Sequence, residues 1–584
     1  METVKYVLAA IPFCFLVQPV LRAQDDLIAN QRWGYNRPLE TIAAEGSPGG
    51  FETGLRATTT AATPATPWSS QLSLTVPAAI PSGRFLRFHL WARSASNSRI
   101  ELVHELNRDP FSKSLSYLIR LTGEWKEVAL PYQSAAYAAS DSALRIRTGY
   151  DEGVVEFAGI RLEDSGPANT PLPAINFDPF GGQTRDDAWR EPAAERIRRI
   201  RMGPLVVRVV DAAGKPVSGA KIKVEQRSAA FLFGTAIANT PLFASTRDGE
   251  EYRAQFQKLF NYAVLENQLK WDWSNGNDFA TADRMLTWCA QRGIPVRGHT
   301  LLWPSYRYLP ARLRDLRGQP MRAAVESHVR DYVTRTRGRV PVWDVVNEAY
   351  TNNEVLRDNG RDLLWQVFQW ARETDPFVDL AYNDYNISNN RAGANDAHKA
   401  GAIAVVKELL ANGAPVTVLG DQGHMNTPLT PIGKVLEIWE EWAQFGLPIE
   451  ITEFDVVFGG FRDEAQQGDY LAGYLTAAFS QPSIKSFLLW GFWDGAHWLG
   501  DQGAGLFRRD WSRRPMGDVW ERLVLNEWRT NVEAETGEEG TYSTRAFLGE
   551  FVVTAVADGK TASADIGVTR NQDEPNEVNL RLPE

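Results

Sequence analysis

The sequence predicts an α/β fold: a (β/α)8 TIM barrel, a β-sandwich ahead of it, and a small flanking β domain built from segments on either side. Three observations carry that expectation. From 229 to 525, short apolar strands alternate with amphipathic stretches eight times over. Residues 25–165 instead alternate apolar and polar positions between Gly, Pro, Ser and Thr punctuation. The β-rich pieces at 204–228 and 526–584 each hold too few strands to be stable alone, which suggests that they pair around the inserted barrel.

The chain has 584 residues, enough for several cores. Its 43% hydrophobic and 23% charged residues fit a globular protein rather than a disordered one. A net charge of -10 excludes a nucleic-acid partner, because gripping phosphates needs a dense basic surface. Of the 20 Trp, fifteen lie from Trp271 onward. Most are expected in the core, although flat rings also suit the apolar faces of sugars.

At the start, Lys5 precedes the apolar run Val7–Val17, and Ala23 stands before Gln24-Asp25-Asp26. Residues 1–23 read as a secretory signal peptide, which implies a secreted or periplasmic protein. The run is too short for a membrane span, and no later segment is long enough. After cleavage Cys289 is the remaining cysteine, so no internal disulfide is expected.

Within 25–165 the clearest strand is Arg84–Arg93. Leu86, Phe88 and Leu90 share one face, and Arg87, His89 and Trp91 the other. Leu115–Leu121, Trp125–Leu130, Ala143–Thr148 and Val154–Leu162 follow the same pattern. Residues 166–203 read as a linker, centred on Ser165–Pro173, and a helix over Asp186–Met202 whose arginines suggest a solvated face. Leu205–Glu225 reads as a hairpin around Gly214-Lys215-Pro216. The barrel strands are expected at Phe231–Ile237, Ala263–Glu266, Pro295–His299, Val342–Glu348, Val378–Asn383, Val416–Gly420, Pro448–Glu453 and Ser486–Trp490. The tail, Tyr542–Leu582, holds about four strands.

A barrel of this kind places its chemistry at the C-terminal ends of its strands. The fourth strand ends in Asn347-Glu348 and the seventh in Glu453-Phe454-Asp455, on opposite sides of the barrel, so the two glutamates can converge. Paired carboxylates are what glycosidic bond cleavage requires: a proton donor for the leaving oxygen and a carboxylate across the sugar. Glu450 has opposite strand parity to Glu453 and is given no catalytic part, and Asp344 reads as part of a network inside the barrel. With seven His, no HExxH and no paired-Cys spacing, neither a metal site nor a cofactor is expected.

The motifs WDVVNEAY and ITEFDV resemble the acid/base and nucleophile motifs of glycoside hydrolase family 10, the endo-1,4-β-xylanase family. ENQLKW, RGHTLLW, AYNDYN, GDQGHM and LLWGFWDGAHW resemble its other blocks, in order, over residues 229 to 525. The resemblance implies Glu348 as general acid/base, Glu453 as nucleophile, and Asn347 bonded to the 2-hydroxyl of the reacting sugar. It implies that His424 holds the nucleophile, that Asp455 orients His424, and that Gln422 lies near the acid/base. Glu266, Asn267, Lys270, His299 and Trp303 would bind the glycone, Trp490 and Trp498 would wall the reacting sugar, and Tyr385 would line the aglycone side. The implied activity is retaining hydrolysis of xylan by a monomer. The competing readings are another β-linked glycan, a non-catalytic glycan-binding protein, or a metal-dependent barrel lyase. Where many members carry His-Ser-Gln after Trp303, this chain has Pro304-Ser305-Tyr306, which is expected to alter the glycone pocket; Trp493 is expected to join the rim. Through LRFHLWARS and LTGEWKEVALPY the N-terminal sandwich resembles carbohydrate-binding modules, with Trp91 and His89 as one candidate platform and packing as the other reading.

Overall fold

The computed structural model describes residues 26–584 apart from 30, 47–48, 65, 167–176, 272–278 and 571–573. The expected leader and most of the expected linker lie outside the described residues.

Eight parallel strands form the barrel: β1 Leu232–Ile237, β2 Tyr262–Leu265, β3 Val296–Leu302, β4 Val342–Asn347, β5 Asp379–Asp384, β6 Val418–Asp421, β7 Ile449–Val456 and β8 Ile484–Leu489. Each pairs with its sequence neighbour except at β8, which returns to β1, and the pairing runs unbroken round the ring. Helices such as Gln319–Thr336, Asp396–Ala411 and Glu464–Ser480 cover the outside, where their apolar stripes meet the strands.

Small and medium apolar side chains fill part of the barrel interior, among them Ala236, Val264, Val342, Ala381, Val418 and Leu488. In the same interior lies a buried charge cluster. Arg297 donates from Nη2 to Asp344 (2.5 Å) and from Nη1 to Glu450 (2.6 Å). Two carboxylates around one guanidinium make burial tolerable because every charge has a bonded partner.

Two five-stranded antiparallel sheets make the N-terminal sandwich. Phe85–Arg93 places Leu86, Phe88 and Leu90 in its core, as the alternation requires. On the opposite face His89 is buried and its Nε2 meets Glu127 at 2.8 Å, so packing and hydrogen bonding occupy the side chain read as half of a sugar platform. This sandwich seats on loops that follow barrel strands, where Arg391 donates to Glu101 (3.1 Å) and Thr427 to the Ser116 carbonyl (3.1 Å); the segment after the sandwich joins in through the Pro179 carbonyl, which accepts from Leu429 N–H (2.6 Å).

The small flanking sandwich corrects one expectation. Met202–Val210 and Lys221–Ala229 do not pair as a hairpin; each enters a different sheet. Met202–Val210 lies between Thr541–Phe547 and Asn576–Arg581, while Lys221–Ala229 lies between Asn531–Glu535 and Gly549–Ala557. Around Gly214 the chain closes a tight turn, with Val210 and Pro216 in an antiparallel bridge and Val217 N–H donating to the Val209 carbonyl (3.0 Å), but beyond it the two strands part and tail strands supply their remaining backbone partners. The helix before it, Arg190–Ile200, corrects another. Arg196 and Arg201 turn inward and donate to Ser480, Phe479 and Gln481 carbonyls at the end of helix Glu464–Ser480, where cations favour the dipole.

Replacing Arg297 by Ala leaves two buried carboxylates uncompensated. The expected loss is about 3–5 kcal/mol of stability, read from the denaturant midpoint of the barrel transition.

Candidate active site

The site is assembled from the C-terminal ends of β2 to β8. Two register shifts aim its carboxylates. In β4 the pairing with β5 slips between Asp344 and Val346, after which Asn347 rather than Val346 faces the cavity. In β7 the pairing with β8 slips between Ile451 and Phe454. Glu450 and Glu453 therefore both turn inward, one to Arg297 and the other to the cleft, so simple alternation does not separate them. Glu348 leaves β4 with φ 57°, a left-handed conformation that side chains other than Gly seldom adopt. Its N–H donates to the Asn383 carbonyl (2.9 Å) and its own carbonyl accepts from Asn352 N–H (3.0 Å), which hold the turn.

A relay of amides joins the two carboxylates. Gln422 Nε2 donates to Glu348 Oε1 (2.9 Å) and approaches Asn347 Oδ1 (3.4 Å). Asn383 Nδ2 donates to Asn347 Oδ1 (3.0 Å) and to Glu453 Oε1 (2.8 Å). The second oxygen of Glu348 accepts from Trp303 Nε1 (3.2 Å) and Asn352 Nδ2 (2.9 Å). Glu453 Oε2 meets His424 Nε2 (3.2 Å), whose Nδ1 lies 2.9 Å from Asp455 Oδ1; Trp498 Nε1 donates to Asp455 Oδ2 (2.8 Å). Among the described residues Asn347 Nδ2 has no hydrogen-bond partner, a buried donor free to meet a ligand oxygen.

These surroundings drive the carboxylates apart in acidity. Burial raises Glu348 most; donation from Gln422 opposes it, and the charges of Asp384 and Glu453 reinforce it, bringing the group to about 8. Burial pushes Glu453 upward too, yet the His299 and His424 imidazoles outweigh it and hold the carboxyl below its ordinary value. For His424, burial works against the charged form, but Asp455 and Glu453 overcome it and raise the imidazole to about 10. At neutral pH the cleft therefore holds one protonated carboxyl, one carboxylate and an imidazolium bridging to Asp455. Such a set can donate a proton on one side of a substrate and attack from the other.

The remaining residues singled out from the sequence line the same cavity. Lys270 Nζ donates to Asn267 Oδ1 (3.0 Å) and lies 5.9 Å from the Trp303 ring and 5.7 Å from the Trp490 ring. Burial lowers the Lys270 ammonium, against the pull of Glu266, Glu453 and Glu348; burial raises Glu266, against Lys270. His299 is fixed by Asp344 (2.9 Å) and packs edge-on against Trp490 at 5.1 Å. Tyr385 stands on the Glu348 side, where burial raises its phenol and the Glu348 and Asp384 charges add to that; its hydroxyl lies 3.1 Å from Thr351 Oγ1.

The family model described as Glycosyl hydrolase family 10 matches residues 223–519, just over half of the chain. The chain belongs to this family. Among curated proteins, it is 31% identical over 376 residues to "Anti-sigma-I factor RsgI6" of Acetivibrio thermocellus, a match covering 64% of this chain and 47% of that relative, about half its length. It is 30% identical over 273 residues to "Endo-1,4-beta-xylanase B" of Thermotoga neapolitana, covering 44% of this chain and 77% of the relative. Among solved structures, xylanase 10B from Thermotoga petrophila in complex with xylobiose matches at 28% identity and TM-score 0.45, over 51% of this chain and 95% of that one.

Two expectations about how this family-10 chain departs from the pattern need correcting. The Tyr306 hydroxyl accepts from Asn359 (3.2 Å) and its ring lies under the Arg317 guanidinium (4.0 Å). It is Tyr308 that stacks on Trp303, with ring centroids 3.7 Å apart. Trp493 is buried rather than on the rim: it stacks on Trp511 at 4.5 Å and donates to the Arg509 carbonyl (3.3 Å). Sequence reading missed Asn383, Asn352 and Tyr308. Asn383 was accessible, since it shares strand parity with the inward Ala381; the other two lie on loops without periodicity.

His424→Asn removes the imidazolium beside Glu453. The acid limb of kcat/KM is expected to move to higher pH by roughly one unit or more, because Glu453 must then lose its proton with His299 as the one imidazole left beside it to favour the carboxylate. A pH–rate profile on an aryl glycoside measures this; the alkaline limb should also move upward, by less, because the His424 charge is a minor influence lowering Glu348.

Proposed function

We propose that this chain is an exported, retaining endo-1,4-β-xylanase that works as a monomer, without cofactor, on internal bonds of xylan. The observation that carries the reading is the opposite protonation of two carboxylates tied into one amide relay: Glu348 raised to about 8 and Glu453 held low. The xylanase of Thermotoga neapolitana, similar over 44% of this chain, supports xylan as the substrate. The apolar run at 7–17 behind Lys5 supports export.

In this reading the Glu453 carboxylate attacks the anomeric carbon while Glu348 gives its proton to the departing glycosidic oxygen. The bond to that oxygen breaks as the bond to Glu453 forms. Glu348, now ionised, takes a proton from water, and the hydroxide equivalent displaces Glu453 from the sugar, regenerating both groups. His424, locked by Asp455, and Asn383 grip both oxygens of Glu453, which suits direct attack better than activation of a loose water. In the same reading Asn347 Nδ2 donates to the 2-hydroxyl of the reacting sugar, which its lack of a hydrogen-bond partner among the described residues supports.

Glu453→Ala is expected to abolish turnover. Glu348→Ala should slow xylan hydrolysis by roughly 10²–10⁴-fold while sparing bond cleavage in substrates whose leaving group needs no proton. Proton NMR of the first product should show the β anomer appearing first. Inactivity on every xylan in a polysaccharide panel, with activity on a β-glucan, would replace the substrate; unchanged turnover in Glu453→Ala would overturn the mechanism.

A further inference from the structure

We propose that Tyr350, together with Tyr385, forms a sugar shelf on the acid/base side of the cleft, for units of the leaving glycan beyond the one bonded to the reacting sugar. The proposal rests on the xylanase reading above and adds a residue that sets chain-length preference.

Among the described residues, Tyr350 and Trp498 are the exposed large apolar side chains on loops that follow barrel strands. Trp498 belongs to the Glu453 side through Asp455. Tyr350 lies two residues beyond Glu348 and is 37% exposed. Since Glu348 faces the leaving oxygen, the glycan that departs must extend past this loop.

The seat of Tyr350 is built. Its ring rests on the bare backbone of Gly401 in helix Asp396–Ala411, where a Cβ would fall 2.0 Å from the ring. His398, one turn earlier, meets the same ring nearly perpendicular at 5.2 Å. The imidazole is fixed by Asp384, whose Oδ1 lies 3.0 Å from Nε2, and Tyr382 donates to the other oxygen of that carboxylate. Tyr385 packs against the same imidazole at 4.1 Å and ties back to Thr351 through its hydroxyl. Asn353 Nδ2 donates to the Tyr350 carbonyl (2.8 Å). Both rings are thus placed before any ligand arrives, which lowers the entropy lost on binding. One broad apolar face against helix backbone and the rest open to solvent suits the flat C–H face of a pentose ring, which has no hydroxymethyl group to clear.

The test compares kcat/KM on xylohexaose with that on nitrophenyl β-xylobioside, whose aglycone ends at the first position. Tyr350→Ala is expected to lower the value on xylohexaose by roughly tenfold, to leave the aryl substrate within about twofold, and to shift the cleavage pattern of the hexamer. Tyr350→Phe keeps the ring and should behave like the native protein. Gly401→Ala leaves Tyr350 in the sequence but displaces its ring, and should reproduce the loss in the same length-dependent form. An unchanged value on xylohexaose, or equal losses on both substrates in a folded variant, would overturn the shelf. If the native protein cleaves a different β-glycan and Tyr350→Ala shows the length-dependent loss there, the shelf stands and the xylan reading falls.

Discussion

Burial would protonate both carboxylates that face the cavity, and the rest of the site is arranged to ionise one of them while leaving the other its proton. Asp455 and Glu453 flank the His424 imidazole, which stays charged only because both acids are there. Its charge in turn helps keep Glu453 ionised while Glu348, less compensated and withdrawn from water, keeps its proton. Removing any one group changes the protonation of the others, so the acid and the nucleophile are properties of the cluster rather than of two isolated side chains.

The same logic extends into the barrel. Arg297 neutralises Asp344 and Glu450, and Asp344 also holds His299, which packs on Trp490 and lies 3.9 Å from Glu453. The buried cluster thereby connects the stability of the barrel with the orientation of the cleft. The register shifts in β4 and β7 sit directly above it, where the ladder gives up regular pairing to aim Asn347 and Glu453.

Much of this was legible in the sequence because the barrel repeats one rule: apolar strand, polar end, amphipathic helix. The strand ends named Glu348 and Glu453 directly, and the motif resemblance added His424 and Asp455. What escaped depends on contacts without a local period. Tyr306 and Trp493 were misplaced because a loop residue one or two positions from a motif can turn either way, and here Arg317 and Trp511 captured them. Arg196 and Arg201 looked solvated because their partners, the last carbonyls of helix Glu464–Ser480, lie far along the chain. The turn around Gly214 closes as a hairpin does, but the strands on either side of it part because most of their backbone partners come from the tail.

That interleaving has a consequence for the order in which the molecule is made. Met202–Val210 and Lys221–Ala229 leave the ribosome ahead of the whole barrel, and the strands they pair with follow it. Until those strands emerge, two β-segments with apolar faces and unpaired edges must wait. Once they arrive, the start and finish of the barrel are sewn into one small sandwich. The strands that follow the barrel therefore act as a latch: a chain cut short ahead of them would present a finished catalytic face on a barrel whose two ends have lost their common clasp.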